Sequence, residues 1–158
     1  MMIRPSLLAI VLGGSLIVQA QPATAPVAIR ASRLFDGLHD TTSGNAVVIV
    51  EGNRITAAGS NLPIPTGATL VDLGDATLLP GFIDAHTHLS DESSDDWNAD
   101  TIGGLRRTVA ESALRAADNA RRTLLAGFTT VRDVGSADYI DVGLRNTIAA
   151  GLVVGPRM

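Results

Sequence analysis

The sequence predicts an α/β protein, a short β-rich stretch followed by strands alternating with helices, and three observations carry that expectation. Several β-like runs separated by turn residues lie between Val27 and Asp72. Residues Pro80 to Leu89, PGFIDAHTHL, read as a buried apolar strand leaving a Pro-Gly turn. Beyond them apolar residues recur at steps of three and four, then a further strand and helix follow. Strand, helix, strand, helix in succession implies parallel strands joined by crossover helices.

At the N-terminus, Arg4 precedes the uncharged run Ser6 to Val18, and Val18-Gln19-Ala20 offers small residues where a signal peptidase reads. Residues 1–20 are therefore expected to be a signal peptide, with the mature protein periplasmic or secreted. The run is shorter than the ~20 apolar residues of a spanning helix, so no stable membrane anchor is expected after cleavage.

Residues 27–76 form the expected small β unit, with runs at Ile29 to Phe35, Ala46 to Val50, Arg54 to Ala58 and Thr69 to Leu73. Gly52-Asn53 sits where a tight hairpin needs positive φ, so the second and third runs should pair antiparallel. Pro63 and Pro65 mark a surface loop.

In the strand that follows, His86 and His88 point to one face because side chains alternate, while Ala85 and Thr87 point to the other. A pair of hydrogen-bonded core histidines is the plain alternative. Two neutral imidazoles sharing a strand face nevertheless have a metal ion as their natural common partner. Asp84 shares that face one step deeper, where it could orient a histidine or make a buried structural hydrogen bond.

Leu105, Val109, Ala113, Ala116, Ala120 and Leu124 then form one apolar stripe, with Glu111–Arg115 and Asp118–Arg122 as i,i+4 pairs beside it. One amphipathic helix is expected, capped by Asp100 or Thr101 and ended by Gly127. Phe128 to Val134 reads as a second buried strand. Ser136 or Asp138 opens a second helix with its stripe at Ile140, Leu144 and Ile148, closed by Gly151. Met158 falls at the opening of a third strand. Two complete β/α units are expected, where a closed parallel barrel has eight.

The 158 residues, 46% hydrophobic and 18% charged, have a globular composition, and the net charge of −4 with scattered arginines excludes the basic stripe of a nucleic-acid binder. All 12 basic residues are arginines, so no lysine can serve as ligand, base or Schiff-base nucleophile. The absence of cysteine removes disulfides and thiolate metal sites. Arg132 and Asp133, near the end of the second strand, are expected to close a structural salt bridge around the barrel rim, with substrate binding as the alternative. Asp91 to Asp100 holds five acids and Trp97, either a lid or a solvated loop, and charge runs usually are solvated. His39 is expected to be an exposed turn residue without a chemical role.

PGFIDAHTHL, together with LLAGFTTVRDVG (Leu124 to Gly135) and IAAGLVVGPR (Ile148 to Arg157), resembles the amidohydrolase superfamily of metal-dependent hydrolases. The likeness is closest to its exported prolidase-like and imidazolonepropionase-related branch. It implies a (β/α)8 TIM barrel with a β-sandwich built from both chain ends, and one or two divalent metals, usually zinc, at the C-terminal mouth of the barrel. Residues 27–76 would be the N-terminal part of the sandwich, and residues 77–158 the start of an incomplete barrel. His86 and His88 match the family's first-strand metal ligands. Its other ligands, commonly a carboxylated lysine, two histidines and an aspartate that shuttles protons, have no counterpart here.

The resemblance implies hydrolysis of a carbon–nitrogen bond in an amide, dipeptide or cyclic amide through metal-activated water. The chain is expected to be the N-terminal part of the longer enzyme. The alternative is a truncated, non-catalytic product that does not fold into an active barrel.

Overall fold

A computed structural model describes residues 25–158. The expected signal peptide, residues 1–20, lies outside them. The chain divides into two compact units, one containing the described residues 25–34 together with 43–77, the other residues 35–42 with 78–158.

The first unit is built on strands Val27–Leu34 (β1), Ser43–Glu51 (β2), Arg54–Ser60 (β3) and Thr69–Asp72 (β4), in the order β3-β2-β1-β4. The two-residue strand Thr77–Leu78 (β5), too short to announce itself in the sequence, also pairs with β1. β1 runs antiparallel to β2 with Ala28 opposite Ile49, and parallel to β4 with Ala28 beside Leu70. The β2–β3 hairpin closes as expected, Glu51 opposite Arg54. Only Gly52 takes positive φ, +60°, and Asn53 does not, the signature of a type II′ rather than a type I′ turn. Alternation along β1 and β2 buries Ala28, Val47 and Ile49, and Ala57, Leu62 and Ala68 pack against them. Pro63 and Pro65 lie in the irregular stretch between β3 and β4.

In the second unit, Phe82–Thr87 (β6) and Phe128–Asp133 (β7) pair in parallel, with Phe82 opposite Phe128 and Thr87 opposite Asp133. Beyond the last helix the chain returns to the other side of β7. Arg157 bridges Thr130 in parallel, its carbonyl accepting from Val131 N at 2.8 Å and its N–H donating to Thr129 O at 2.9 Å.

The single helix expected between these strands is two: Trp97–Arg106 (α1) and Val109–Leu125 (α2). Thr108 breaks the run, being extended (φ −77°, ψ 156°) with its hydroxyl accepting from Glu111 N at 3.2 Å. Thr108-Val-Ala-Glu111 has the spacing of a capping box, and a cap of this kind outweighs continuation of the apolar stripe. Asp96, rather than Asp100 or Thr101, caps α1 by accepting from Ala99 N at 3.0 Å. The stripe narrows accordingly: Ala116 and Ala120 are buried, whereas Leu105, Val109 and Ala113 are exposed. Glu111 and Arg115 pair at 3.3 Å, but Asp118 reaches Arg121, three residues on, at 3.1 Å rather than Arg122. Gly127 follows α2 with φ +99°, as expected of a helix terminator.

The last helix, Ile140–Ala149 (α3), is entered through a 3-10 turn, Ala137–Tyr139. Asp138 lies within that turn, and Ser136, the other expected opener, is the N-cap residue of the turn but not of α3 itself. Tyr139 holds that position in a left-handed conformation, and the Ser136 hydroxyl accepts from Asp141 N at 3.3 Å. Ile140 and Leu144 join Leu89, Ala116, Ala120 and Val131 in one apolar core, with Ile148 packed against it.

The two strands expected to be buried are largely exposed. Phe82, Ile83, Ala85 and His86 of β6 are open to solvent, and Val131 alone is fully buried in β7. Among the described residues β6 has a strand neighbour on one edge only, which leaves its apolar residues uncovered. No helix of the described residues is long and apolar enough to cross a membrane.

Candidate metal centre

His86 lies near the C-terminal end of β6 and His88 one residue past it. Both are exposed, so the core-histidine alternative does not apply to them in this chain. Their ring centroids are 5.5 Å apart with the planes at 69°. With zinc–nitrogen bonds of about 2 Å in a near-tetrahedral arrangement, two imidazoles on one ion have centroids on the order of 5 Å apart. The observed spacing fits a shared ion.

The two rings are held differently. His88 Nδ1 lies 2.8 Å from the carbonyl oxygen of Gly135. A carbonyl only accepts, so Nδ1 carries the proton, and in the neutral ring Nε2 then holds the free lone pair, the arrangement a ligating histidine uses. Around it the chain is pinned at several points. Thr87 O accepts from Val134 N at 3.0 Å, and Leu89 N donates to Asp133 Oδ2 at 2.8 Å. Asn119 of α2 donates to Leu89 O at 3.0 Å, and Leu89 itself is buried in the core. His86 is tethered by its backbone, its N–H donating to Asp84 Oδ1 at 3.0 Å. Asp84 therefore holds the main chain of a histidine rather than its ring.

Arg132 and Asp133 do not form the expected salt bridge. Arg132 Nε donates to Ala85 O at 2.8 Å, while Asp133 accepts from the backbone of Leu89 and, at 3.1 Å, of Gly135. Arg132 thus serves a main-chain group of β6, and Asp133 serves main-chain groups just past the ends of β6 and β7. The Gly135 carbonyl, the acceptor for His88, is a site group that sequence reasoning missed; only the Asp-Val-Gly spacing after the second strand hints at it.

Three of the five acids of Asp91 to Asp100, Glu92, Asp96 and Asp100, serve local structure. Asp96 caps α1, and Asp100 accepts from Ser94 N at 2.6 Å. Glu92 pairs with Arg115 at 3.0 Å and Arg107 at 3.7 Å, while Trp97 is exposed. An open cleft of about 790 Å³ has Asp84, Thr87 and His88 on one wall and Asn119, Arg122 and Thr123 on the other; His86 is not part of its lining. His39 is exposed, and its ring meets only Asp36, at 2.8 Å. Among the described residues no group of three or more His, Cys, Asp or Glu side chains could hold an ion, so His86 and His88 stand as a two-donor set.

Comparison with known proteins locates this geometry. Residues 77–158, which carry both histidines, match the amidohydrolase family model. The chain is similar to an imidazolonepropionase from Streptomyces coelicolor, 38% identical over 93 residues, 54% of this chain and 23% of the relative. It is similar to an allantoinase from Streptomyces avermitilis, 35% identical over 107 residues, 62% of this chain and 23% of the relative. In structure it resembles a Xaa-Pro dipeptidase with methionine bound in its active site, at TM-score 0.73 and 30% identity over 84% of this chain and 32% of that one. The chain thus spans about a quarter of the curated relatives' length and about a third of the dipeptidase. The match over more than half of its residues places the chain in the amidohydrolase family.

Proposed function

We propose that this chain is the N-terminal part of an exported metal-dependent hydrolase acting on a carbon–nitrogen bond, and that His86 and His88 are its first two metal ligands. The observation that carries the reading is the pair of exposed imidazoles with centroids 5.5 Å apart, one already oriented by the Gly135 carbonyl, within the segment that matches the family. Residues 27–76 would contribute to a β-sandwich. Residues 77–158, with β6, β7 and the strand begun at Arg157, would be the first part of a (β/α)8 barrel, the histidines lying toward its C-terminal mouth.

A divalent ion held there, zinc by its preference for imidazole nitrogen, supplies Lewis-acid polarisation of the scissile carbonyl and activation of water. The chain's own residues do the holding: Gly135 O keeps His88 Nδ1 protonated, and Asp84 fixes the main chain of His86. The similarity to a Xaa-Pro dipeptidase and an imidazolonepropionase favours a dipeptide or cyclic amide as substrate. Two donors make half of a tetrahedral site, so the 158 residues alone should bind metal weakly and hydrolyse nothing.

The test is to read the coding DNA past the Met158 codon, then purify the whole product with zinc and assay Xaa-Pro dipeptides and cyclic amides. An open frame encoding further histidines, a carboxylate and hydrolytic activity is the expected result. An immediate stop codon, or a metal-loaded product that cleaves none of these bonds, overturns the reading in favour of a non-catalytic product.

A further inference from the structure

We propose that Asp133 is a positioning residue that sets the tautomer of His88 by clamping both sides of the His88–Gly135 hydrogen bond; its consequence for metal affinity rests on the reading of His88 as a ligand. The carboxylate divides its oxygens. Oδ2 accepts from Leu89 N at 2.8 Å, the residue after the histidine, and Oδ1 accepts from Gly135 N at 3.1 Å, the residue whose carbonyl receives the imidazole proton. One side chain on β7 thus fixes the histidine's own backbone and the acceptor of its ring.

Two features make the clamp specific. Gly135 has φ +142°, in the region that favours glycine, and this conformation lets its N–H turn back to Asp133 while its carbonyl faces His88. An ionised carboxylate is acceptor-only, so it can receive both N–H groups. Asparagine has one acceptor oxygen, and its NH2 would face one of the two donors. Asp133→Gln would add a methylene as well, so Asp133→Asn is the sparing change. Asp133 has no ion pair among the described residues that would give its charge another purpose.

The test is imidazole ¹H–¹⁵N spectroscopy on the metal-free 158-residue chain at a pH where its histidines are neutral, followed by zinc titration. In the wild type His88 should show one protonated Nδ1 and an unprotonated Nε2. In D133N the His88 signals should become those of mixed tautomers while His86 and His39 are unchanged, and zinc affinity should fall by about 10–100-fold, as when a ligand loses its supporting partner. D75N, at an exposed acid of the first unit that pairs with Arg33, should leave both readouts unmoved.

Wild-type His88 signals retained in D133N overturn the proposal. So does a wild-type His88 protonated on Nε2. If D133N does not fold, amide exchange in the wild type decides: slow exchange at Leu89 and Gly135 supports the clamp, and fast exchange at either overturns it. A fixed His88 tautomer without zinc binding supports the clamp and sinks only the ligand reading.

Discussion

Strands β1 and β6 each carry apolar residues, yet one is sealed and the other open. β1 has β2 along one edge and β4 with β5 along the other, and the alternate residues of β1 and β2 close over a core in which Ile49 is 4% exposed. Among the described residues β6 has β7 alone, and Ile83 is 73% exposed. The difference teaches that an apolar pattern specifies a strand but not its burial, which depends on what arrives beside it. Under the proposed reading, the open flank of β6 is where later barrel elements would pack.

Substitution at those two isoleucines breaks or sharpens the contrast most strongly. Ile49→Ala should cost about 2–5 kcal/mol in chemical denaturation, because it leaves a cavity in a closed core. Ile83→Ala should stay within about 0.5 kcal/mol, as surface changes do. Equal costs would mean that β6 is covered in solution.

A smaller effect belongs to the helix break that the sequence pattern concealed. Thr108→Ala removes the hydroxyl that receives Glu111 N and should destabilise α2 by about 0.5–2 kcal/mol, read as faster amide exchange at Glu111. If exchange there is unchanged, α1 and α2 are one continuous helix after all.

In the β unit, Arg30 and Asp72 pair at 2.6 Å across β1 and β4 with both side chains about half exposed. Solvent screening limits such a pair, and a double-mutant cycle with R30A and D72A should give a coupling smaller than the cost of the lost Thr108 cap.

The smallest effect concerns Asp36, whose carboxyl is lowered to about 2 by the backbone N–H of Leu38 first, then by the ring and backbone of His39. Because the folded value lies below the ordinary 3.8, the contribution of Asp36 is present above about pH 4 and lost as pH falls through about 2. The carboxyl carbon shift of Asp36 should titrate near pH 2, well below the ordinary 3.8.

Much of the fold is legible in the residues. The Gly52-Asn53 turn, the parallel β6–β7 pairing across a helical crossover and the stripe of Ile140 and Leu144 follow from period and turn chemistry alone. The division at Thr108 was hidden because Leu105 and Val109 continue the apolar rhythm across a cap. Burial of the strands was misjudged for the reason the comparison of β1 with β6 shows. At the site, His86 and His88 stand out by spacing, whereas the roles of Gly135 and Asp133 depend on a backbone conformation and a register that no pattern of residue types displays.

The most direct measurement of the central claim is a zinc titration of the chain followed by imidazole NMR, with H86A and H88A alongside. The account predicts that the ring signals of His86 and His88 move together while those of His39 stay still. Each substitution should leave the remaining imidazole unmoved at the zinc concentrations that shift both rings of the wild type. Equal movement of all three histidines, or binding that survives both substitutions, would contradict it.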